Sequence, residues 1–113
     1  MISNQVIQKS MTELKNITGV EFCVLDLTGQ YLFGEPERYQ IDMKVIMEFV
    51  NSEADSQAIG KIRFLKTGSE EEGLYIVVTE DNENAYILGK IAISQLKQLN
   101  EAYQDKMDKN SFY

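Results

Sequence analysis

Arg38 and Arg63 are the only arginines in the chain. A planar guanidinium is the side chain best suited to hold a carboxylate through two parallel hydrogen bonds. Tyr31, Tyr39, Tyr75 and Tyr86 each offer an apolar ring with a hydroxyl at its end, the usual lining of a pocket for a small polar molecule. Arg38, Tyr39, Arg63 and Tyr75 are therefore the candidate ligand-binding residues. Each has a competing role: an exposed salt bridge for the arginines, core or interface packing for the tyrosines. The single cysteine, Cys23, sits in an apolar run, where a thiol is more often a small buried hydrophobe than a reactive group.

The types that are missing restrict the chemistry further. The chain has no histidine, so Ser/His/Asp and Cys/His catalysis and histidine-dependent zinc sites cannot be assembled. The acidic run Glu70-Glu71-Glu72, the turn Asp81-Asn82-Glu83-Asn84 and the pair Asp105 and Asp108 lack the alternating oxygen ligands and closing glutamate of a calcium loop. None of the seven glycines falls into a phosphate-cradling fingerprint. No catalytic residue, metal ligand or cofactor site is expected, and the domain reads as non-enzymatic.

With 113 residues, 43% of them hydrophobic, the chain is long enough for one domain with its own core. Eighteen acidic against eleven basic residues give a formal charge of -7, which opposes binding to nucleic acid or to an anionic membrane surface. No apolar run approaches the roughly 20 residues of a membrane span. A lone cysteine and the absence of a signal-peptide pattern point to the cytoplasm.

The elements that must position these side chains follow from periodicity. Val6, Ile7, Met11, Leu14 and Ile17 recur at helical spacing between Ser3, a ready N-cap, and Gly19, a C-terminal stop. Residues 20–26 and 30–34 read as a β-hairpin about Leu27-Thr28-Gly29. After the break at Glu35-Pro36-Glu37, a second helix is expected over 39–52, with Ile41, Val45, Ile46, Phe49 and Val50 on its stripe. Three strands are expected over 59–66, 74–80 and 85–93, then a terminal helix behind Ser94 with the seam Leu96, Leu99, Tyr103 and Met107. If Ile62 and Phe64 face the core beneath the second helix, alternation turns Arg63 to the other face, while Arg38 lies at the mouth of that helix. The expected fold is α+β, in the order α-β-β-α-β-β-β-α, with a five-stranded antiparallel sheet. Apolar residues at consecutive positions in 22–25 and 74–78 require helices on both sheet faces.

This order resembles the profilin-like folds, among them PAS and GAF sensor domains, roadblock proteins and longins. A sharper likeness lies in Gly19-Val20-Glu21-Phe22-Cys23-Val24-Leu25-Asp26-Leu27-Thr28-Gly29, Ala58-Ile59-Gly60-Lys61-Ile62, Ala85-Tyr86-Ile87-Leu88-Gly89-Lys90-Ile91-Ala92 and the tail over 103–112. Together these resemble the N-terminal sugar-diacid recognition domain of the carbohydrate diacid regulators. The resemblance implies one sensor domain over 1–113, with 95–113 as an exit helix toward an output domain that ends in a PucR-type helix-turn-helix. It also implies a sugar diacid or other carboxylate as small-molecule effector, a homodimer, and DNA contact only through the missing part. The terminal seam would then pair with a second copy, or else pack on its own sheet. The other function class with the same element order is a roadblock- or longin-like homodimeric scaffold without a ligand pocket.

Overall fold

The computed structural model describes residues 3–67 and 74–111, with side chains as far as residue 102. Helix α1 spans Asn4–Thr18; the Ser3 hydroxyl accepts from the Val6 amide and Gly19 closes the helix in the left-handed conformation. Strands β1 (Cys23–Asp26) and β2 (Tyr31–Phe33) pair as an antiparallel hairpin. The Asp26 carboxylate organises its turn by accepting from the Thr28 amide and hydroxyl and the Gln30 amide, at 2.6–3.0 Å. A short 3-10 turn over Pro36–Arg38 leads to α2, Met43–Asn51, capped by the Asp42 carboxylate on the Lys44 amide. Strands β3 (Ser56–Ile59), β4 (Ile62–Lys66) and β5 (Tyr75–Glu80) follow, and α3 runs unbroken over Glu83–Ser111.

All five strands form one antiparallel sheet in the order β2-β1-β5-β4-β3. Alternation divides it between two cores. Val24, Leu65, Tyr75 and Val77 meet Ile7, Met11 and Leu14 of α1 and Leu88, Ala92 and Leu96 of α3. On the opposite face Leu25, Phe64, Ile76 and Val78 meet Ile46, Phe49 and Val50 of α2. The fold is thus α+β with three helices and helices on both sheet faces.

The element order matches the expectation, but two errors in opposite directions produce the match. The strand expected over 85–93 is instead the start of α3. Asn82 caps it by accepting from the Ala85 amide at 2.9 Å, and the buried positions Ala85, Leu88, Ala92 and Leu96 repeat at three and four. No break occurs at Ser94, so the helix expected over 95–113 is a continuation rather than a separate element. The single strand expected over 59–66 is a hairpin, with Ile59 opposite Ile62 and Gly60-Lys61 between them. The second helix starts at Met43, not 39, because Pro36 and the left-handed Gln40 interrupt it.

Two glycines with positive φ occupy different surroundings. A Cβ at Gly34 would fall 2.4 Å from the Phe22 carbonyl oxygen and 2.9 Å from the Cys23 Cα, both backbone atoms. At Gly60 the same atom would meet nothing within 4 Å. Gly60→Ala is expected to cost about 1 kcal/mol, the conformational cost alone. Gly34→Ala should cost several-fold more, because the hairpin must shift. Urea unfolding of the two variants measures the difference, and equal losses would refute it.

Candidate functional site

The four candidate ligand residues do not converge on one cavity. Tyr75 is buried in the core shared with α1 and α3. Arg63 is on that same face and is committed: its Nε donates to Asp81 Oδ1 at 3.1 Å, its Nη1 to Ser56 Oγ at 3.3 Å, and its guanidinium lies 4.7 Å from the Tyr86 ring centre. Arg38 and Tyr39 lie beside the core beneath α2 and line the same two clefts.

The larger cleft, about 560 Å³, opens at the ends of β4 and β5. Arg38 and Lys61 bring positive charge to it and Glu80 and Asp81 negative charge. The second, about 400 Å³, runs between the leading end of α2 and the sheet, with Val45, Ile59, Ile62 and Phe64 as its apolar wall. Arg38, Tyr39, Lys61 and Ile62 line both, so the two are adjoining parts of one trough. The side chains of Arg38 and Lys61 have no ion pair or hydrogen bond among the described residues. The Arg63 bridge leaves Glu80 as the uncommitted carboxylate of the trough, with Asn82 Nδ2 at a long 3.5 Å.

Local structure explains the placement. Pro36 sets up the 3-10 turn that carries Arg38, and the left-handed backbone at Gln40, φ +48°, reverses the chain so that Tyr39 enters the core. Lys61 arrives on the β3–β4 turn, and Glu80 ends β5 directly opposite Ile62. Lys61 and Glu80 were not singled out in the sequence, since only the unrecognised hairpin brings them to Arg38. The available signal was Gly60-Lys61 between two isoleucines, because a glycine in the first central position suits a two-residue hairpin turn.

Tyr39 is 6% exposed, and its hydroxyl has no hydrogen-bond partner among the described residues. Burial pushes it up to about 12, with the Cys23 thiol, Glu21 and Glu80 adding to the effect and Arg38 opposing it. Burial, reinforced by Glu21, likewise pushes the Cys23 thiol up to about 12, so Cys23 is a packed hydrophobe rather than a nucleophile. Tyr31 and Tyr86 lie elsewhere: Tyr31 lines a small hollow beside α1, and the Tyr86 ring holds Arg63 and Lys90 at 4.7 and 4.8 Å. Leu96 is fully buried and Leu99 packs against the same core, so this half of the seam rests on its own sheet. The side chains of Tyr103 and Met107 lie outside the described residues, as does the 70–72 acidic run. Among the described residues no group of three acidic or cysteine side chains is placed to hold a metal, and no helix is long and apolar enough to cross a membrane.

The chain matches no protein-family model, no curated protein sequence and no solved structure.

Two outcomes follow from these buried groups. Tyr39→Phe removes a buried donor without an acceptor, so it is expected to leave stability unchanged or raise it by about 1 kcal/mol. A loss of stability in urea unfolding would mean that the hydroxyl is paired. At high pH the unfolded chain releases the Cys23 proton from pH 9.0 and the Tyr39 proton from pH 10.0 upward, whereas the folded chain keeps both until about 12. Stability from these groups is therefore intact below pH 9 and falls as pH rises, by up to about 1.4 kcal/mol per pH unit for each group. Urea titrations between pH 8 and 11 should show this fall, and Cys23→Ala should make it shallower.

Proposed function

We propose that this domain is a non-enzymatic, PAS- or GAF-like small-molecule sensor, the input part of a transcriptional regulator similar to the carbohydrate diacid regulators. Its effector carries a carboxylate and binds in the trough between α2 and the sheet. The observation that carries this reading is the pair of unpartnered cations, Arg38 and Lys61, at the rim of a trough floored by Ile62 and Phe64. A guanidinium holds a carboxylate in two hydrogen bonds, and a neighbouring ammonium strengthens the attraction.

A ligand held there touches the leading end of α2. The other end of α2 is fastened: Lys66 Nζ donates to the carbonyls of Phe49, Val50 and Ser52 at 3.0, 3.2 and 2.6 Å. Binding therefore biases the free end of a nine-residue helix whose far end is fixed, and the sheet passes the difference to α3. In this reading α3 leads to the output region and pairs with a second copy, and DNA contact belongs to a helix-turn-helix outside this chain. The cytoplasm is the matching compartment.

A second reading, a roadblock- or longin-like homodimeric scaffold, is favoured by one observation. Ile17, Ile87 and Ile91 are 83%, 51% and 40% exposed on α1 and α3, the two helices that share a sheet face.

Thermal unfolding separates the two, measured with ligands at fixed protein concentration and without ligand over a range of protein concentrations. Against a panel of mono- and dicarboxylates, a sensor should gain about 2.7 kcal/mol at a hundredfold excess over Kd. Arg38→Ala and Lys61→Ala should each abolish the gain while changing the ligand-free protein by about 0.5 kcal/mol or less, as exposed substitutions do. No response to any carboxylate, with a melting temperature that climbs with protein concentration, would replace the sensor with the scaffold.

A further inference from the structure

Resting on the reading of the trough as the ligand site, we infer that the ligand is a zwitterion, an α-amino acid with an apolar side chain, rather than a diacid. The larger cleft is not uniformly basic. Glu80, which ends β5 on the α2 side of the sheet, lines the same cleft as the two cations. Of the two acidic residues there, Asp81 is already neutralised by Arg63 at 3.1 Å. A dianion that satisfied Arg38 and Lys61 would set its second carboxylate in a cleft also lined by Glu80, on a chain that already carries a charge of -7. An ammonium group beside the carboxylate turns that repulsion into an ion pair, so the mixed lining matches a ligand with both charges on neighbouring atoms.

The adjoining cleft supplies the third point of recognition. Val45, Ile59, Ile62 and Phe64 form its apolar wall, the Asp42 carboxylate that also lines it is engaged as the α2 cap, and at about 400 Å³ it has room for an aliphatic or aromatic side chain. Arg38 and Lys61 stand where the two parts meet, so a carboxylate held there directs the ammonium to Glu80 and the side chain toward α2. Three points of contact on three different chemical groups also select the class of compound: removing any one leaves a charged or apolar surface of the site unmatched.

Calorimetric titration of the whole chain tests this with L-leucine, L-valine and L-phenylalanine, with 4-methylpentanoate, which lacks the ammonium, with isoamylamine, which lacks the carboxylate, and with a sugar diacid. The expected result is saturable binding of at least one of the three amino acids, with 4-methylpentanoate and isoamylamine at least tenfold weaker than leucine. Glu80→Gln should weaken the amino acid about tenfold and leave 4-methylpentanoate no weaker. Glu80 is exposed, and an unchanged circular dichroism melt confirms that the variant folds. Preference for the sugar diacid, or amino acid binding indifferent to Glu80→Gln, would overturn the zwitterion while leaving a carboxylate sensor in place. Failure of every carboxylate to bind would overturn both.

Discussion

Strand β5 is the constraint on which the rest of the molecule depends. It is the middle strand of the sheet, hydrogen-bonded to β1 on one edge and β4 on the other, and residues Tyr75 to Thr79 are all buried. Buried on both faces, it belongs to both cores at once: Tyr75 and Val77 to the one beneath α1 and α3, Ile76 and Val78 to the one beneath α2. No residue of β5 before its end is free to change polarity without leaving a cavity or an unpaired group in one core or the other. Glu80 is where that burial stops, and the trough begins at the same residue. A site that needs charge can be built only where the central strand leaves the core.

The second face repeats this logic along α2. Phe49 and Phe64 pack with ring centres 5.9 Å apart, and Lys66, whose ammonium sits 4.9 Å from the Phe49 ring, caps the helix by donating to two of its last carbonyls and to that of the C-cap residue Ser52. A cation at a helix C-terminus satisfies orphan acceptors and complements the helix dipole. The leading end has only the Asp42 cap and is preceded by the left-handed Gln40. The cation at the trailing end of α2 is committed to the helix, and the uncommitted cations lie at the other end. Conformational freedom is drawn from the weakly held parts of a fold, and here that part adjoins the cations.

Periodicity made most of this legible in the sequence, and its failures have identifiable causes. The α1 stripe with both its caps, the hairpin at Asp26, the α2 stripe and the two-sided sheet all follow from spacing. The strand expected over 85–93 failed because Ile87 and Ile91 are exposed at positions where helical alternation calls for polar residues, so the run looked apolar on every side. Gly89 added to the confusion: it reads as a strand glycine, yet it lets α3 approach β4, where a Cβ would lie 2.7 Å from Leu65 Cδ1. Strand β3 escaped notice because Ser56, Gln57 and Ala58 are small or polar residues on an edge strand with no alternating apolar pattern. For the site, residue chemistry pointed to Arg38 and Tyr39, and strand alternation already turned Arg63 to the opposite face, whereas the burial of Tyr75 on that face is seen only in the structure. Lys61 and Glu80 needed the register of β3, β4 and β5, which composition does not encode.

The continuity of α3 decides how a change at the trough can travel in the sensor reading. A 29-residue helix is about 43 Å long, whereas the six residues of β5 span about 20 Å. Half of the helix therefore runs past the strand it packs on, and with no break at Ser94 there is no hinge between the two halves. With no break to act as a joint, the helix couples most directly by moving as a body. At Gly89 it lies close against Leu65, and Leu65 follows Phe64, which packs beneath α2 on the other face. Adjacent residues of one strand connect the two cores. A shift of β4 by a few tenths of an ångström is felt at both, because close-packed interiors transmit strain rather than absorb it.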